Sequence, residues 1–326
     1  MTTTSSSSDA PCAIRIQGMS KTYKTGFWFK PKVTPAVKSL TLEAADNQAF
    51  GLLGLNGAGK TTTLKVILGF VYPDAGKVEI FGGKISDRRI RAKIGYLSEL
   101  PYFSKQHTGR ELLSYFGALH GYAGRQLSTR VDEVLELVRM TRAARERLSS
   151  YSKGMLQRIG IGQALIGNPK LLICDEPMSG LDPVGYKEMR DIFLDLKKNG
   201  TTLFLNTHIL DEVERICDRV GIMHEGVLKE VAPIAKVLSS DNAVDYWIDI
   251  EKSAAPKLAG LPFQDSVHQN GGVQIAGNLL NQILSQIQSR GVAIEAVRPL
   301  ASAVEAYFLK AIGLSPKPAP QGRSAS

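Results

Sequence analysis

Cysteine and long apolar runs are both scarce in this sequence. Three cysteines among 326 residues, Cys12, Cys174 and Cys217, stand far apart and without metal-ligand spacing. That excludes a disulfide framework and a cysteine-held zinc, and implies a reduced compartment. Cys174, inside the apolar run LLICDEP, reads as a small buried hydrophobe. No stretch approaches the roughly 18 uninterrupted apolar residues of a membrane span. The opening MTTTSSSSDAP has neither the basic start nor the apolar centre of a secretory signal. Residues 1–12 and 314–326 are predicted to be disordered tails.

Acidic residues are outnumbered as well, 31 against 40 basic ones, for a net charge of +9. The excess lies wholly before residue 241, where 33 bases face 24 acids; beyond it seven face seven. A basic surface suits nucleic acid, anionic lipid or a polyanionic ligand alike, so the count selects no partner.

What is present has an α/β texture. AIRIQGMSKTY and VKSLTLEA alternate apolar and polar residues as half-buried strands do. The loop between them, residues 26–32, carries Phe27, Trp28 and Phe29 among lysines. The favoured reading is an extension of the hairpin packed on its own subdomain, ahead of a membrane surface. QAFGLLG, IGYL, LLICDEP and TTLFLNT read as buried strands, and helical patterns separate them. That alternation predicts a parallel sheet with a helical insertion at about 100–165. From about Ala243 the texture changes to short strands (YWIDI, GGVQIAG, VAIEAV) and amphipathic helices, a small α+β appendage.

Between the strand QAFGLLG and a helix lies GLNGAGKTT, which fits Gly-x4-Gly-Lys-Thr in the context that pattern requires. Gly54, Gly57 and Gly59 let the backbone curl so that amides, with those of Leu55, Asn56 and Ala58, point at phosphate oxygens. Lys60 reaches the terminal phosphates, Thr61 offers a hydroxyl to Mg²⁺, and Thr62 continues the helix whose positive end faces the anion. The site therefore predicts a nucleotide and Mg²⁺, and the resemblance given below implies that the nucleotide is ATP. Asp175 and Glu176 end the strand LLICDEP. The first suits the metal's oxygen shell, the second the orientation or deprotonation of attacking water.

One further stretch, YSKGMLQR at 151–158, raises a question of charge. Ser152 is placed to cap the following helix. Lys153, however, puts a cation in the first turn, against the helix dipole, unless an anion sits there.

With SGLDP and NTH downstream, these segments resemble the nucleotide-binding subunits of ATP-binding cassette (ABC) transporters, in order and spacing from about residue 14 to 230. The variants SKGM, LQR and SEL are most similar to the ABC-2-type exporters. The resemblance implies a P-loop NTPase core of ABC type with an N-terminal antiparallel β-subdomain over residues 13–240, the inserted helical subdomain, and an accessory domain at 241–313. It implies a head-to-tail dimer, with itself or a paralogous cassette, around two ATP molecules. Separate membrane permease subunits would hold it at the cytoplasmic face of the membrane and receive the work of hydrolysis. Tyr23 matches the aromatic that stacks on adenine, although a core role suits a strand-end tyrosine too. Ser152, Lys153 and Gly154 match the signature that meets the opposite subunit's ATP. Asp182 matches the loop that signals between sites, although Asp before Pro is also good turn chemistry. His208 matches the switch histidine, and with Lys60 and Glu176 it completes the catalytic set.

Three departures from the family pattern stand out. Glu99 stands where glutamine is usual; it can still ligate Mg²⁺, together with Thr61 and Asp175, but adds negative charge. Lys153 and Met155 replace a glycine and the glutamine of the signature. Asn47 replaces a turn glycine, a neutral change because Asn tolerates a left-handed backbone. Lys153 of one subunit could offset Glu99 of the other, since unit charges about 7 Å apart interact by about 2 kcal/mol at an effective dielectric near 20. Two other functions fit parts of the pattern: a soluble ABC ATPase acting on nucleic acid or the ribosome, and an ATP-binding regulatory subunit without turnover. The single cassette, the lack of sustained heptads and the intact Lys60, Asp175, Glu176 and His208 argue against them, so no direct nucleic-acid binding is expected.

Overall fold

The computed structural model describes residues 12–26, 32–239, 244–251, 257–258, 267–268 and 272–314. Apart from their edge residues, the two predicted tails and the aromatic loop lie outside the described residues. The chain divides into two compact units, residues 1–231 and 232–326.

The first unit opens with β1 (Cys12–Thr25) and β2 (Lys32–Ala45), an antiparallel hairpin paired out to Thr25 and Lys32. Asn47, in the turn that follows, has φ 54, the left-handed geometry expected of it. Next come β3 (Ala49–Leu53), α1 (Lys60–Ile67) and β4 (Ala75–Ile80). The β4 strand joins the hairpin as the third member of a β2-β1-β4 sheet. After α2 (Arg88–Arg91) and β5 (Ile94–Leu97), the predicted insertion appears as α3 (Gly109–Leu119), α4 (Gly124–Leu137) and α5 (Lys153–Leu165). A capping box starts α3: Thr108 Oγ accepts from the Glu111 N–H while the Glu111 carboxylate accepts from the Thr108 N–H.

The chain then alternates β6 (Leu171–Asp175), α6 (Pro183–Lys198), β7 (Thr202–Thr207), α7 (Leu210–Ile216), β8 (Arg219–His224) and β9 (Val227–Pro233). The main sheet has the order β5-β6-β7-β3-β8-β9, with parallel pairing from β5 through β8. Strands β3, β6 and β7 are buried along their whole length, as continuous apolar runs covered on both faces must be. Phe50 and Phe204, directly paired between β3 and β7, stack at 5.6 Å in the core. Among the described residues of this unit, three strands went unread in the sequence: β4, β8 and β9.

In the second unit, α8 (Ile234–Leu238) precedes β10 (Tyr246–Ile250), β11 (Val267–His268), β12 (Gly272–Ile275), α9 (Leu280–Ser289), β13 (Ile294–Pro299) and α10 (Ala303–Ala311). The sheet order is β11-β12-β10-β13, all antiparallel. Ile283 and Ile287 of α9 bury against Ile248, Ile250, Val273 and Ile275 of one sheet face.

Candidate functional site

The ladder register of the main sheet brings the chemistry together. Leu53 pairs with Thr207, and Asp175 with Asn206, so the carboxyl ends of β3, β6 and β7 meet at one edge. Ligand sites of open α/β sheets lie at such an edge.

The phosphate loop leaves β3 there and turns into α1. Gly59 has φ 102, and a Cβ on it would lie 2.3 Å from the Ala36 carbonyl oxygen. A Cβ on Gly54 would lie 2.4 Å from the Met223 carbonyl oxygen. Only glycine fits either place. Gly57 also has a positive φ, 82, but nothing lies within 4 Å of its Cβ position. Among the described residues no hydrogen bond takes up the N–H groups of Gly57 and Gly59, donors that an anion would satisfy. We expect Gly59→Ala to lose about 3 kcal/mol of stability, from backbone strain plus overlap. Gly57→Ala should lose only about 1–2 kcal/mol, the strain alone. Chemical denaturation of the two variants checks the difference.

Lys60 begins α1 and is 5% exposed. Its Nζ donates to the Gly54 carbonyl at 2.7 Å and lies 3.6 Å from Glu176 Oε1. Burial pulls its titration down, and Glu176 and Asp175 pull it partly back up. Thr61 is exposed and Thr62 half-buried; Leu55 and Asn56 are exposed and Ala58 buried. Ala36, which abuts Gly59, lies on β2 two residues beyond Thr34, the partner of Tyr23 on β1. The hairpin carrying half-buried Tyr23 thus runs alongside the loop.

Asp175 is 7% exposed and accepts a short hydrogen bond from Asn206 Nδ2. Burial, with Glu176 and Glu99 nearby, raises its titration despite that bond. Asn206 was not singled out in the sequence, though a polar residue inside the apolar run TLFLNT is the signal that marks it. Glu176, also buried, has φ 48, a left-handed backbone that is unusual for a glutamate. Its N–H donates to the Asn206 carbonyl at 2.8 Å. Its carboxylate is shared: Oε1 faces Lys60, while Oε2 lies 2.7 Å from His208 Nδ1 and accepts from the His208 N–H at 3.3 Å. His208 follows β7 directly, and its ring is about half exposed.

Glu99 is exposed, and its backbone is pinned by Gln157 Nε2 of α5, which donates to the Glu99 carbonyl at 2.7 Å. Asp175 and Glu99 are hard oxygen donors that feel each other's charge, the Thr61 hydroxyl is a third such donor, and a dication would relieve the repulsion between the carboxylates. Among the described residues no three His, Cys, Asp or Glu side chains cluster closely enough to hold a metal themselves. One or two carboxylates with water and phosphate completing the shell is how Mg²⁺ is held in such sites, and this donor set fits.

A second cluster gathers the signature. Ser152 caps α5, its Oγ accepting from the Met155 N–H at 3.3 Å. Asp182 caps α6 in the same way, accepting from the Gly185 N–H at 2.7 Å. A Cβ on Gly154 would sit 3.8 Å from the Gly185 Cα, and one on Gly180 would sit 2.4 Å from Lys153 Nζ. The lysine therefore lies over the SGLDP loop of its own chain. No hydrogen bond or ion pair among the described residues joins Ser152, Lys153 or Gly154 to residues 54–61. A phosphate-facing group and a signature group can thus be told apart, linked among the described residues through Gln157 of α5 and the Glu99 carbonyl.

One contact invisible in the sequence ties α7 to α6, and a second lies within α7 itself. Tyr186 of α6 donates its hydroxyl to Asp211 at 2.7 Å, and Arg215 Nε donates to the same aspartate at 2.6 Å. Glu212 lies fully buried on the inner face of the same helix.

Comparison with known proteins bears on both groups. Residues 37–179 match the family described as ABC transporter. An uncharacterized ABC transporter ATP-binding protein of Synechocystis is 38% identical over 90% of this chain and 82% of its own length. The Nod factor export ATP-binding protein I of Rhizobium johnstonii is 36% identical over 68% of this chain and 69% of its own. Among solved structures, an ATP-binding subunit of an ABC transporter superposes with a TM-score of 0.59 at 29% identity, covering 69% of this chain and 91% of that one.

Proposed function

The chain belongs to the ABC transporter family, and from that membership we propose that it is the ATP-hydrolysing subunit of an export system, working as a head-to-tail dimer against a separate membrane permease. The observation that carries the reading is Glu176, buried at the end of β6 between Lys60 and His208 and beside the phosphate loop. Lys60 and the loop amides would hold the nucleotide's phosphates, with Tyr23 against the base. Asp175, Glu99 and Thr61 would hold Mg²⁺, which supplies charge neutralisation at the phosphates. Glu176 would orient and deprotonate the attacking water, and His208 would keep that carboxylate aligned. The lack of any hydrogen bond, among the described residues, from the signature to the chain's own phosphate loop suits a trans arrangement, in which Ser152, Lys153 and Gly154 meet ATP held by the partner and Asp182 sits at the junction.

Exposed apolar side chains support the coupling to a membrane partner. No helix among the described residues is long and apolar enough to cross a membrane. Leu100 and Tyr102, just past Glu99, are 72% and 94% exposed, and Phe70, edge-on to Tyr96, is 64% exposed. Apolar groups so placed, with Tyr115 and Leu119 of α3 exposed as well, suit a permease's cytoplasmic helix. The chain would then lie at the cytoplasmic face of the membrane. The test is to solubilise membranes with the Glu176→Gln chain and ATP. A dimer that carries a polytopic membrane protein is expected, and a monomer under those conditions overturns the sandwich.

Whether Lys153 answers Glu99 across that interface has its own test. If they pair, Glu99→Gln and Lys153→Gly combine non-additively in ATPase rate, with a coupling of about 1–2 kcal/mol. If Lys153 serves the loop at Gly180 alone, the two effects add.

A further inference from the structure

One short stretch concentrates positive charge away from the nucleotide site. Residues 84–93, KISDRRIRAK, carry five bases and one acid. The acid serves the backbone: Asp87 caps α2, accepting from the Arg89 N–H at 2.8 Å. Ile90 is buried against Gly83, where an added Cβ would lie 2.6 Å from its Cγ1. At about 100° of helix per residue, Arg88 then points away from the core, with Arg89 and Arg91 on its flanks. All three are exposed, as is Lys84 at the start of the turn that leads into α2. Lys93 is half-buried, its Nζ 5.5 Å from the centre of the Phe81 ring. Among the described residues none of these five cations joins an ion pair. Acids nearby are already engaged. Glu79 is held below its usual range by Lys77 at 2.6 Å, and more weakly by Arg15 and Lys84. Asp74 is bound to Lys21 at 2.8 Å.

Exposed aromatic side chains adjoin the cations. The loop after α1 packs on this stretch, since a Cβ on Gly69 would lie 3.0 Å from Ile85 Cγ2. That loop presents Phe70 and Tyr72, 64% and 81% exposed. Rings beside arginine and lysine suit the headgroup level of a bilayer, where the rings enter the interface and the cations meet phosphates. Single-stranded nucleic acid uses the same side-chain types, but position favours the membrane. Phe70 stands edge-on to Tyr96, on the surface where a permease helix is proposed to dock, and a permease brings its bilayer with it. We propose that residues 84–93, with Phe70 and Tyr72 beside them, form a surface that rests on anionic phospholipid headgroups and holds the chain to the bilayer alongside its permease. The choice of lipid over nucleic acid rests on that docking reading; the charge and exposure of the surface do not.

The experiment co-sediments the purified full chain, without any permease, with phosphatidylcholine vesicles that contain or lack phosphatidylglycerol, at low and raised salt. Binding is expected only where phosphatidylglycerol is present, and it should weaken as salt rises. Each arginine near such a surface contributes about five-fold. Arg88→Gln, Arg89→Gln and Arg91→Gln should therefore each lower affinity by about five-fold, and the triple variant by about 100-fold. Glutamine suits an exposed helix, so melting temperature and ATP turnover should match the natural chain. If the triple variant melts early, the three single variants carry the test. A control variant, Arg142→Gln with Arg145→Gln and Arg147→Gln, removes three exposed arginines elsewhere and should bind nearly as the natural chain does. Equal losses in the two triple variants overturn the proposal in favour of net charge alone. Binding that survives in the patch variant but disappears with Trp28→Ser overturns it in favour of the aromatic loop. A patch-dependent preference for a single-stranded oligonucleotide over anionic vesicles assigns the surface to nucleic acid instead. A natural chain that ignores anionic vesicles overturns it outright. Failure of the Glu176→Gln co-purification would remove the permease and still leave the vesicle result standing, so the two readings fail separately.

Discussion

Glu176→Gln is expected to lower steady-state ATP turnover by about 10³-fold, the middle of the range for a positioned general base, while ATP still binds. The amide keeps the shape and can still meet His208 Nδ1, so the pocket stays formed. What it loses is the negative charge that would take water's proton. Two electrostatic consequences accompany the loss. Lys60 no longer has a carboxylate 3.6 Å away competing for its ammonium, which leaves it freer for phosphate. Asp175, whose titration Glu176 helps to raise, becomes easier to ionise and so a better oxygen ligand. Nucleotide affinity should therefore be unchanged or tighter, and the chain should persist as an ATP-filled dimer. Single-turnover hydrolysis together with light scattering in the presence of ATP checks both parts. Turnover within ten-fold of the natural chain would remove Glu176 from the catalytic role.

Lys60→Met is expected to have the opposite profile, losing ATP affinity by about 100-fold and turnover along with it. Its ammonium would make one or two charge-assisted hydrogen bonds to phosphate, each worth about 1.5–3 kcal/mol. Methionine fills nearly the same buried volume, so the start of α1 keeps its packing. Calorimetric titration with ATP measures the first effect. A fold retained at normal melting temperature with affinity intact would contradict the assignment.

The loops were legible in the sequence because phosphate chemistry demands particular residues at adjacent positions. Gly54 through Thr62 carries its meaning locally, and so does Ser152 ahead of α5. Asn47, too, was readable as a left-handed position. The buried strands β3, β6 and β7 showed as apolar runs for the same reason: both faces are covered. The strand β8 did not, because the seven-residue helix before it is too short to display a period. Edge strands β4 and β9 fully bury only one residue each, and their composition resembles that of loops. What tertiary register creates was out of reach. Asn206 meets Asp175 only because β6 and β7 pair in that alignment, and Tyr186 meets Asp211 from 25 residues away. Lys153 was assigned to an anion or to Glu99; the fold lays it across Gly180, a contact no spacing rule encodes.

The left-handed backbone of Glu176 sets stability against activity at a single residue. Holding a glutamate at φ 48 costs about 1–2 kcal/mol relative to glycine, and somewhat less relative to asparagine. Glycine or asparagine at 176 would also remove one negative charge from the neighbourhood of Asp175. Either replacement should raise the melting temperature of the chain while abolishing its catalysis. Selection for a sturdier protein alone would discard this glutamate, so its presence at such a position marks selection for turnover.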